Sequence, residues 1–340
     1  MEKEERKWSL SDFDYEFPRE LIAQKHAIPR DSSRLIVVKD KIEHSYFYNL
    51  ADYINPGDVI VLNNTRVIPA KFFGKKATGG KAELLLIRLL GTGNWECLIN
   101  GRNIKEDDIL YFKGFSCTVL KRNEGKFIVN FSGPIEKLME SSGEMPLPHY
   151  IKEKLTDPEM YQTIYAKKKG AIASPTAGLH FTQELIERIR KKGAVFVELT
   201  LHVSLGTFKP VHNIETHIMD SEYYEINRES ADTINNAFKS GKRIFAVGTT
   251  VLKTLETVSE NGIVKPGSGG SQIFIKPGYK FNSPVSAIIT NFHIPKSTLI
   301  MMIAAFGGYE RIMAAYKEAI RDRYHLFSFG DSMLLFREGA

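Results

Sequence analysis

The fold is decided by a stretch that begins Lys71-Phe-Phe-Gly-Lys-Lys-Ala-Thr-Gly-Gly-Lys-Ala-Glu-Leu-Leu-Leu-Ile-Arg-Leu-Leu90 and continues to Gly133. Six short runs rich in apolar and β-branched residues recur there at a spacing of roughly ten residues, and glycine-containing turns separate them. None of these runs has the spacing of an amphipathic helix. The stretch therefore predicts a small antiparallel barrel or sandwich.

The flanks of this stretch have a different texture, in which strand-like runs alternate with helical ones. Residues 35–38 and 59–62 are predicted strands before it, and helical spacing over residues 183–192 ends at Gly193 after it. The last predicted element is one long helical segment over residues 299–324. Strands that alternate with helices indicate a largely parallel or mixed sheet with helical cover. We therefore predict an α/β main domain made from residues 1–66 and 150–340, with an inserted all-β domain at residues 67–149.

Composition supports a globular protein and excludes several classes. The 340 residues are 43% hydrophobic and 25% charged, which is typical of a globular domain and not of a disordered or collagen-like chain. The net charge of +6 permits an anionic partner without requiring one. Only Cys97 and Cys117 are present, a count that indicates a reducing compartment and no zinc knuckle. With no apolar leader and no apolar run longer than residues 299–306, we predict a cytoplasmic protein without a membrane partner.

Familiar catalytic motifs do not identify the protein. The sequence has no P-loop, no Rossmann glycine pattern, no nucleophile elbow and no zinc-binding helix motif. The run Gly267-Ser-Gly-Gly270 is interpreted as a flexible hairpin loop. The histidines lack metal-ligand spacing, so no metal site is predicted.

Short polar runs at the junctions of predicted strands with helices or loops are the informative feature. Ligands of α/β proteins gather at the loops beyond strand ends, so these runs together predict one converging pocket. Each run alone has a structural alternative as a helix cap or a turn. The runs are Asn63-Asn-Thr-Arg66, Pro175-Thr-Ala-Gly-Leu-His-Phe-Thr182, Leu201-His-Val-Ser-Leu-Gly-Thr-Phe208, His217-Ile-Met-Asp-Ser-Glu222, Gly248-Thr-Thr250, Thr290-Asn-Phe-His-Ile-Pro-Lys-Ser-Thr298 and Phe329-Gly-Asp331.

These runs carry a resemblance to a known enzyme family. With Ser11-Asp-Phe-Asp-Tyr15, Met160-Tyr-Gln-Thr163 and Phe327-Ser-Phe-Gly-Asp-Ser-Met-Leu334, they resemble the S-adenosylmethionine:tRNA ribosyltransferase-isomerases of queuosine biosynthesis, the QueA family. The resemblance covers nearly the whole chain. Two departures are that Ser174 stands where the family more often has alanine, and Asp220 where it often has histidine.

The resemblance implies a barrel-like mixed-sheet main domain with an inserted small all-β barrel domain. It also implies transfer and isomerisation of the ribosyl moiety of S-adenosylmethionine onto 7-aminomethyl-7-deazaguanine at the tRNA wobble position. The product is epoxyqueuosine-tRNA, and adenine and methionine are released. S-adenosylmethionine is then a co-substrate, so no cofactor is expected. The expected partners are S-adenosylmethionine and the anticodon stem-loop that carries the deazaguanine base, and the chain is expected to be a monomer.

The candidate site residues follow from this chemistry. The sulfonium makes the adjacent ribose C5′ hydrogen acidic, and a neutral histidine or a carboxylate could remove it. We predict His180 as this base, because the positive end of the following helix disfavours imidazolium there, with His202 and Glu222 as alternatives. Glu222 or Asp331 could balance the sulfonium charge. The predicted substrate-binding residues are polar: Asn64, Thr65, Arg66, Thr176, Thr182, Thr207, Thr249, Thr250, Asn291, His293 and Ser297.

Two other function classes stay open on the sequence. A non-catalytic RNA-binding module would use the aromatic and basic residues of Lys71-Phe-Phe-Gly-Lys-Lys76 and Tyr111-Phe-Lys113. It does not explain the polar runs of the main domain. An S-adenosylmethionine-dependent RNA methyltransferase would normally carry a glycine-rich loop after its first strand, and none is found. Release of adenine without S-adenosylhomocysteine separates the first function from both alternatives.

Overall fold

The computed structural model describes residues 6–91, 93–123, 125–204 and 211–339. Its α-helices are α1 (Ile135–Ser142), α2 (Gln183–Lys191), α3 (Arg228–Lys239), α4 (Thr249–Val258), α5 (Thr298–Gly307) and α6 (Tyr309–Arg321). Its strands are β1 (Arg34–Val38), β2 (Ile42–Tyr46), β3 (Val59–Asn63), β4 (Thr65–Val67), β5 (Lys71–Lys76), β6 (Lys81–Gly91), β7 (Asn94–Gly101), β8 (Ile109–Phe112), β9 (Phe115–Asn123), β10 (Lys126–Phe131), β11 (Lys168–Ala171), β12 (Val195–Leu201), β13 (Glu222–Ile226), β14 (Ile244–Val247), β15 (Ser259–Glu260), β16 (Ile263–Val264), β17 (Gly267–Ser271), β18 (Val285–Asn291) and β19 (Ser332–Phe336).

A mixed sheet of nine strands forms the centre of the first unit. The strand order is β17-β13-β12-β3-β14-β18-β19-β1-β2. The four central strands β12, β3, β14 and β18 run parallel, and β1 is parallel to β19. The remaining neighbours are antiparallel. The predicted α/β class with a mixed sheet and an additional small β-barrel is confirmed, although this larger sheet is open among the described residues.

Both faces of the nine-stranded sheet are buried, and the alternation of side chains along each strand explains why. On β1, Ile36 and Val38 belong to one apolar cluster, whereas Leu35 and Val37 belong to the other. The five residues of β3 are all buried. Strands that are covered on both faces contain nearly continuous apolar runs, which is the pattern seen in the sequence.

The second unit contains a closed barrel of six antiparallel strands in the order β10-β7-β6-β5-β8-β9. Buried and more accessible residues alternate along its strands. On β10, Phe127, Val129 and Phe131 are buried and the residues between them are half-buried. The inward side chains form a core of their own, to which Ile135 and Leu138 of α1 also belong. Of the two predicted alternatives, barrel and sandwich, the barrel is present. The short helix α1 lies in a region that we predicted as all-β.

Contacts divide the chain into two units at limits close to the predicted ones. One unit contains the residues up to Arg66, His149–Lys168 and the residues from Ser174 onward, and the other contains Val67–Pro148 with Lys169–Ala173. The second segment of the smaller unit, Lys169–Ala173, was not foreseen. The domain limits 1–66, 67–149 and 150–340 stay a prediction.

Two local predictions are wrong. The helical segment over residues 299–324 is two helices, α5 and α6, and the chain bends by 116° between them at Gly308. Gly308 has φ +85°, a conformation that a helix interior cannot contain and that glycine adopts at low cost. The run at Gly267 is not a flexible hairpin loop but the edge strand β17, paired with β13 along its whole length.

No single helix among the described residues is long and apolar enough to cross a bilayer. The bent pair of α5 and α6 reaches the necessary length and composition only when its two halves are counted together.

Candidate functional site

A cleft lies at the carboxyl ends of the parallel strands of the nine-stranded sheet. Val203 follows β12, Gly248 follows β14 and Phe292 follows β18, and all three line it. The space between its atoms is about 630 Å³, including the part that opens to solvent. Six of the eleven predicted substrate-binding residues line this cleft, as a converging pocket at strand ends predicts. They are Thr176, Thr249, Thr250, Asn291, His293 and Ser297.

The cleft has a largely apolar surface with polar groups set into it and, in the described part of the chain, no charged side chain. Its lining among the described residues contains hydroxyl, amide and aromatic side chains but no lysine, arginine, aspartate or glutamate. The His293 ring is bonded through Nε2 to Thr290 Oγ1 at 2.9 Å, and burial lowers the pKa of His293 to about 3. The imidazole is therefore neutral near pH 7. Such a lining can hydrogen-bond the hydroxyl and base groups of a nucleoside.

Four polar residues of this lining were not chosen as site residues from the sequence: Tyr150, Ser174, Thr290 and Ser328. Tyr150 and Ser328 bond each other through their hydroxyl groups at 2.6 Å. Ser174 lines the cleft with a hydroxyl that has no hydrogen-bond partner among the residues that the structure describes. Ser328 lies inside the quoted stretch that begins at Phe327, and Ser174 stands directly before the run that begins at Pro175, so both belong to or adjoin stretches that the sequence singled out.

His180 lies behind the cleft and does not line it. Its Nδ1 is 2.8 Å from Ser33 Oγ, and its Nε2 is 3.1 Å from Asn291 Nδ2. The ring also stacks on Phe47 with 4.9 Å between centroids. Complete burial lowers the pKa of His180 to about 3, so the ring is neutral, but the main cause is desolvation and not the helix that follows. With both nitrogens engaged, His180 orients the Asn291 amide, which reaches the cleft.

A second group of predicted residues surrounds His202. Its Nδ1 is 2.8 Å from Thr65 Oγ1, and the ring stacks on Tyr223. Burial, and then the nearby Lys168, lower the pKa of His202. Nε2 of this half-buried ring has no partner among the residues that the structure describes. Asn64 lies beside the group and is held by Glu198 and Thr200.

Asn63 joins this second group to the cleft. Its Oδ1 accepts from the backbone N–H groups of Thr65 and Leu201, and its Nδ2 donates to Thr250 Oγ1 at 3.3 Å. The residue was part of a quoted polar run but was not chosen as a site residue.

A family model, two relatives and a crystal structure match nearly the whole chain. The family model described as queuosine biosynthesis protein matches residues 10–335. The chain belongs to this family. S-adenosylmethionine:tRNA ribosyltransferase-isomerases from Natranaerobius thermophilus and Carboxydothermus hydrogenoformans are 49% and 48% identical to it, and both alignments cover 96% of this chain and 99% of the relative. The crystal structure of S-adenosylmethionine tRNA ribosyltransferase from Thermotoga maritima is 37% identical with a TM-score of 0.56, and covers 95% of this chain and 99% of its own.

This member of the queuosine biosynthesis family is therefore an enzyme, and the interpretation as a non-catalytic RNA-binding module is set aside. Two further predicted site residues, Arg66 and Thr182, lie outside the cleft. Arg66 pairs with Glu159. Thr182 caps α2 by accepting from the Leu185 N–H and donates to Asp31. Thr207 lies outside the described residues.

The two predicted carboxylates have structural partners in this family member. Glu222 is buried, and its Oε2 is 2.8 Å from Lys253 Nζ, while its Oε1 accepts from the N–H and hydroxyl of Ser204. Asp331 is buried as well and accepts from the backbone N–H groups of Arg34 and His325 and from the Arg34 guanidinium. Neither carboxylate lines the cleft, so a role in balancing a sulfonium there has no support from the geometry.

One group of side chains in the described part of the chain could hold a metal ion by distance alone. It consists of His44, Glu318 and Asp322. Both nitrogens of His44 are already bonded, to Tyr324 and Glu318. The group is partly exposed and lies outside the cleft.

The two buried histidines of this enzyme are expected to make it sensitive to mild acid. Their folded pKa of about 3 lies below the ordinary value of 6.5, so the unfolded chain binds more protons between these values. The contribution of these two neutral rings to the free energy of unfolding is complete above pH 6.5 and is lost as the pH falls toward 3. At pH 5 the loss is about 2 kcal/mol for each histidine. Urea unfolding at pH 7, 6 and 5 measures it.

The variant His180→Gln should remove one of these two contributions and so flatten the pH dependence. The exposed His149→Gln serves as the control and should leave the slope unchanged. Equal slopes for the wild type and His180→Gln would show that His180 does not titrate in this way.

Proposed function

We propose that the chain transfers and isomerises the ribosyl moiety of S-adenosylmethionine onto 7-aminomethyl-7-deazaguanine at the wobble position of tRNA. The product is epoxyqueuosine-tRNA, with release of adenine and methionine. The observation that carries the proposal is the convergence of six predicted substrate-binding residues on one cleft. The chain that contains these six residues is 49% identical to a relative named S-adenosylmethionine:tRNA ribosyltransferase-isomerase.

The lining of the cleft fits the nucleoside part of S-adenosylmethionine. Hydroxyl groups of Thr176, Thr249 and Thr250 can bond ribose hydroxyls, and the Asn291 amide can bond a base edge. Tyr150 and Phe327 provide apolar surface. In this proposal S-adenosylmethionine is consumed as a substrate, so the enzyme uses no separate cofactor.

The base that removes the C5′ hydrogen is His202 in this proposal rather than His180. A general base works best when its pKa lies near the working pH, and a buried ring with a pKa of about 3 is too weakly basic. His202 is half-buried, and its Nδ1 is held by Thr65, which orients the ring. The neighbouring Val203 lines the cleft.

An RNA partner is consistent with the outer face of the six-stranded barrel. Phe73 and Tyr111 are 55% and 47% exposed there. Lys75 is paired with Tyr111 in register across β5 and β8, and Lys113 follows β8. Exposed aromatic rings beside lysines suit single-stranded nucleotides, because rings stack on bases and lysines contact phosphates. We propose the anticodon stem-loop as the partner of a monomeric, cytoplasmic enzyme.

The decisive experiment supplies S-adenosylmethionine and an anticodon stem-loop that carries 7-aminomethyl-7-deazaguanine. We expect adenine and methionine to be released in equal amounts and the modified nucleoside to gain the mass of the rearranged ribosyl group. Formation of S-adenosylhomocysteine instead would identify a methyltransferase and contradict the proposal.

The same assay distinguishes the two histidines when solvent exchange of the C5′ hydrogen is followed by mass. We expect His202→Gln to lose exchange and turnover together while it still binds S-adenosylmethionine. His180→Gln should keep exchange at a reduced rate, because it only disturbs Asn291. The reverse pattern would return the base to His180.

A further inference from the structure

The first turn of α4 presents free backbone donors to the cleft. Its N-cap residue is Gly248, which has no side chain to accept a hydrogen bond. No acceptor among the described residues receives the N–H of Thr249 or of Thr250, and all three residues line the cleft. The helix has ten residues, so its positive end adds a favourable potential for an anion.

The neighbouring helix α5 makes a useful contrast, because it also begins at the cleft. There the N-cap Ser297 accepts from the Ile300 N–H, so its first turn is closed by the protein's own side chain. The first turn of α4 has no such cap, and Gly248 has φ +92°, which a capping side chain would adopt only with strain.

A second, independent observation is the hydroxyl of Ser174. The residue is 3% exposed and lines the same cleft, and its Oγ has no hydrogen-bond partner in the described part of the chain. A buried hydroxyl without a partner costs free energy, and a ligand that accepts its hydrogen bond removes this cost. Ser174 and the α4 amides are therefore unused donors in one cleft.

The cleft offers an anion neutral hydrogen-bond donors and no cationic side chain among the described residues. No lysine or arginine lines the cleft among the described residues, and Lys253, the lysine of α4, is paired with Glu222. An anionic group would thus be recognised by neutral donors and the helix end. Backbone amides at a helix N-terminus recognise carboxylates and phosphates in this way.

We propose that the N-terminus of α4 and Ser174 form an anion subsite that binds the methionyl carboxylate of S-adenosylmethionine. This inference rests on the function proposed above. An RNA phosphate has the same anionic oxygen chemistry and is the alternative source. We expect the two backbone amides, which lie at the positive end of α4, to supply most of the recognition.

The test compares the affinity of S-adenosylmethionine with that of its decarboxylated analogue, measured by calorimetry on the full chain. Thr249→Pro removes one amide donor at the first helical position, where proline is tolerated. Thr249→Ala removes the same side chain and keeps the N–H, so it is the matched control. The affinity of each variant for the unmodified anticodon stem-loop tests whether the subsite binds an RNA phosphate instead. Thermal melting of each variant checks that it is folded.

We expect the wild type and Thr249→Ala to bind the decarboxylated analogue about tenfold more weakly than S-adenosylmethionine. In Thr249→Pro the ratio should fall to about threefold, and Ser174→Ala should reduce it by a smaller factor. If Thr249→Pro weakens only the stem-loop, the anion subsite stands and its ligand is a phosphate.

Equal affinity of the wild type for both ligands, with no effect of Thr249→Pro or Ser174→Ala on the stem-loop, would overturn the subsite. The adenine-release assay keeps this result separate from the proposed function. A wild type that releases adenine, does not discriminate the carboxylate and loses no stem-loop affinity in Thr249→Pro refutes the subsite alone.

Discussion

Replacement of Gly178 with alanine is expected to lower the free energy of unfolding by about 3 kcal/mol. A Cβ at this position would lie 2.0 Å from the Tyr165 hydroxyl oxygen and 2.8 Å from Thr163 Cγ2. Both neighbours are buried and cannot move aside without repacking. Urea denaturation measures the loss. Because Gly178 lies in the 3₁₀ turn Thr176–His180, the shift also displaces a cleft residue, and adenine release should fall with it.

Gly80→Ala is the matched control for this substitution, since the nearest atom to its added Cβ is Lys76 Cδ at 3.9 Å. It should leave stability within about 0.5 kcal/mol of the wild type. Adding Tyr165→Phe to Gly178→Ala removes the closest clashing atom and should recover part of the loss. If Gly178→Ala were as mild as Gly80→Ala, the packing described around the turn would be wrong.

Substitution of Lys253 with methionine is expected to cost about 3–5 kcal/mol of stability. The ammonium lies 2.8 Å from Glu222, and the two side chains are 5% and 2% exposed, so the substitution removes the Lys253 cation from beside a buried carboxylate. The double variant Glu222→Gln with Lys253→Met removes both charges and should regain most of this loss. Chemical denaturation of the single and double variants completes the cycle.

The exposed pair of Lys265 and Glu260 provides the control, and Lys265→Met should have no measurable effect. The double variant also decides the role of Glu222. If it folds and still releases adenine, Glu222 is structural. A single variant as stable as the wild type would contradict the description of a buried pair.

Much of the fold could be predicted because local patterns determine it. The barrel strands alternate inward and outward residues, as on β10. The covered strands are apolar over most of their length, β1 after Arg34 and β3 up to Asn63. The break at Gly308 was missed because apolar residues continue on both sides of it. Strand β17 was missed because glycine and serine have low strand propensity, and pairing with β13 overrides this preference.

The site could be predicted as a set of strand-end runs but not as individual roles. Thr249 and Asn291 follow or end parallel strands, so their convergence follows from topology. The position of His180 behind Asn291 depends on Ser33, which is distant in sequence, and no local pattern indicates this contact. Asp331 was misjudged for the same reason, because its partner Arg34 lies on another strand.

The edge strand β17 has a consequence for how molecules of this enzyme meet one another in concentrated solution. An open sheet ends in strands whose free backbone groups can accept a strand from another chain, which is a route to aggregation. Gly267-Ser-Gly-Gly-Ser271 has no apolar side chain, so an added strand would gain hydrogen bonds but bury very little apolar surface there. Dry, interdigitated side chains, which make such stacks persistent, cannot form on this edge. The glycine-rich edge thus disfavours addition of strands from other molecules, because it offers almost no side-chain surface for them to bury.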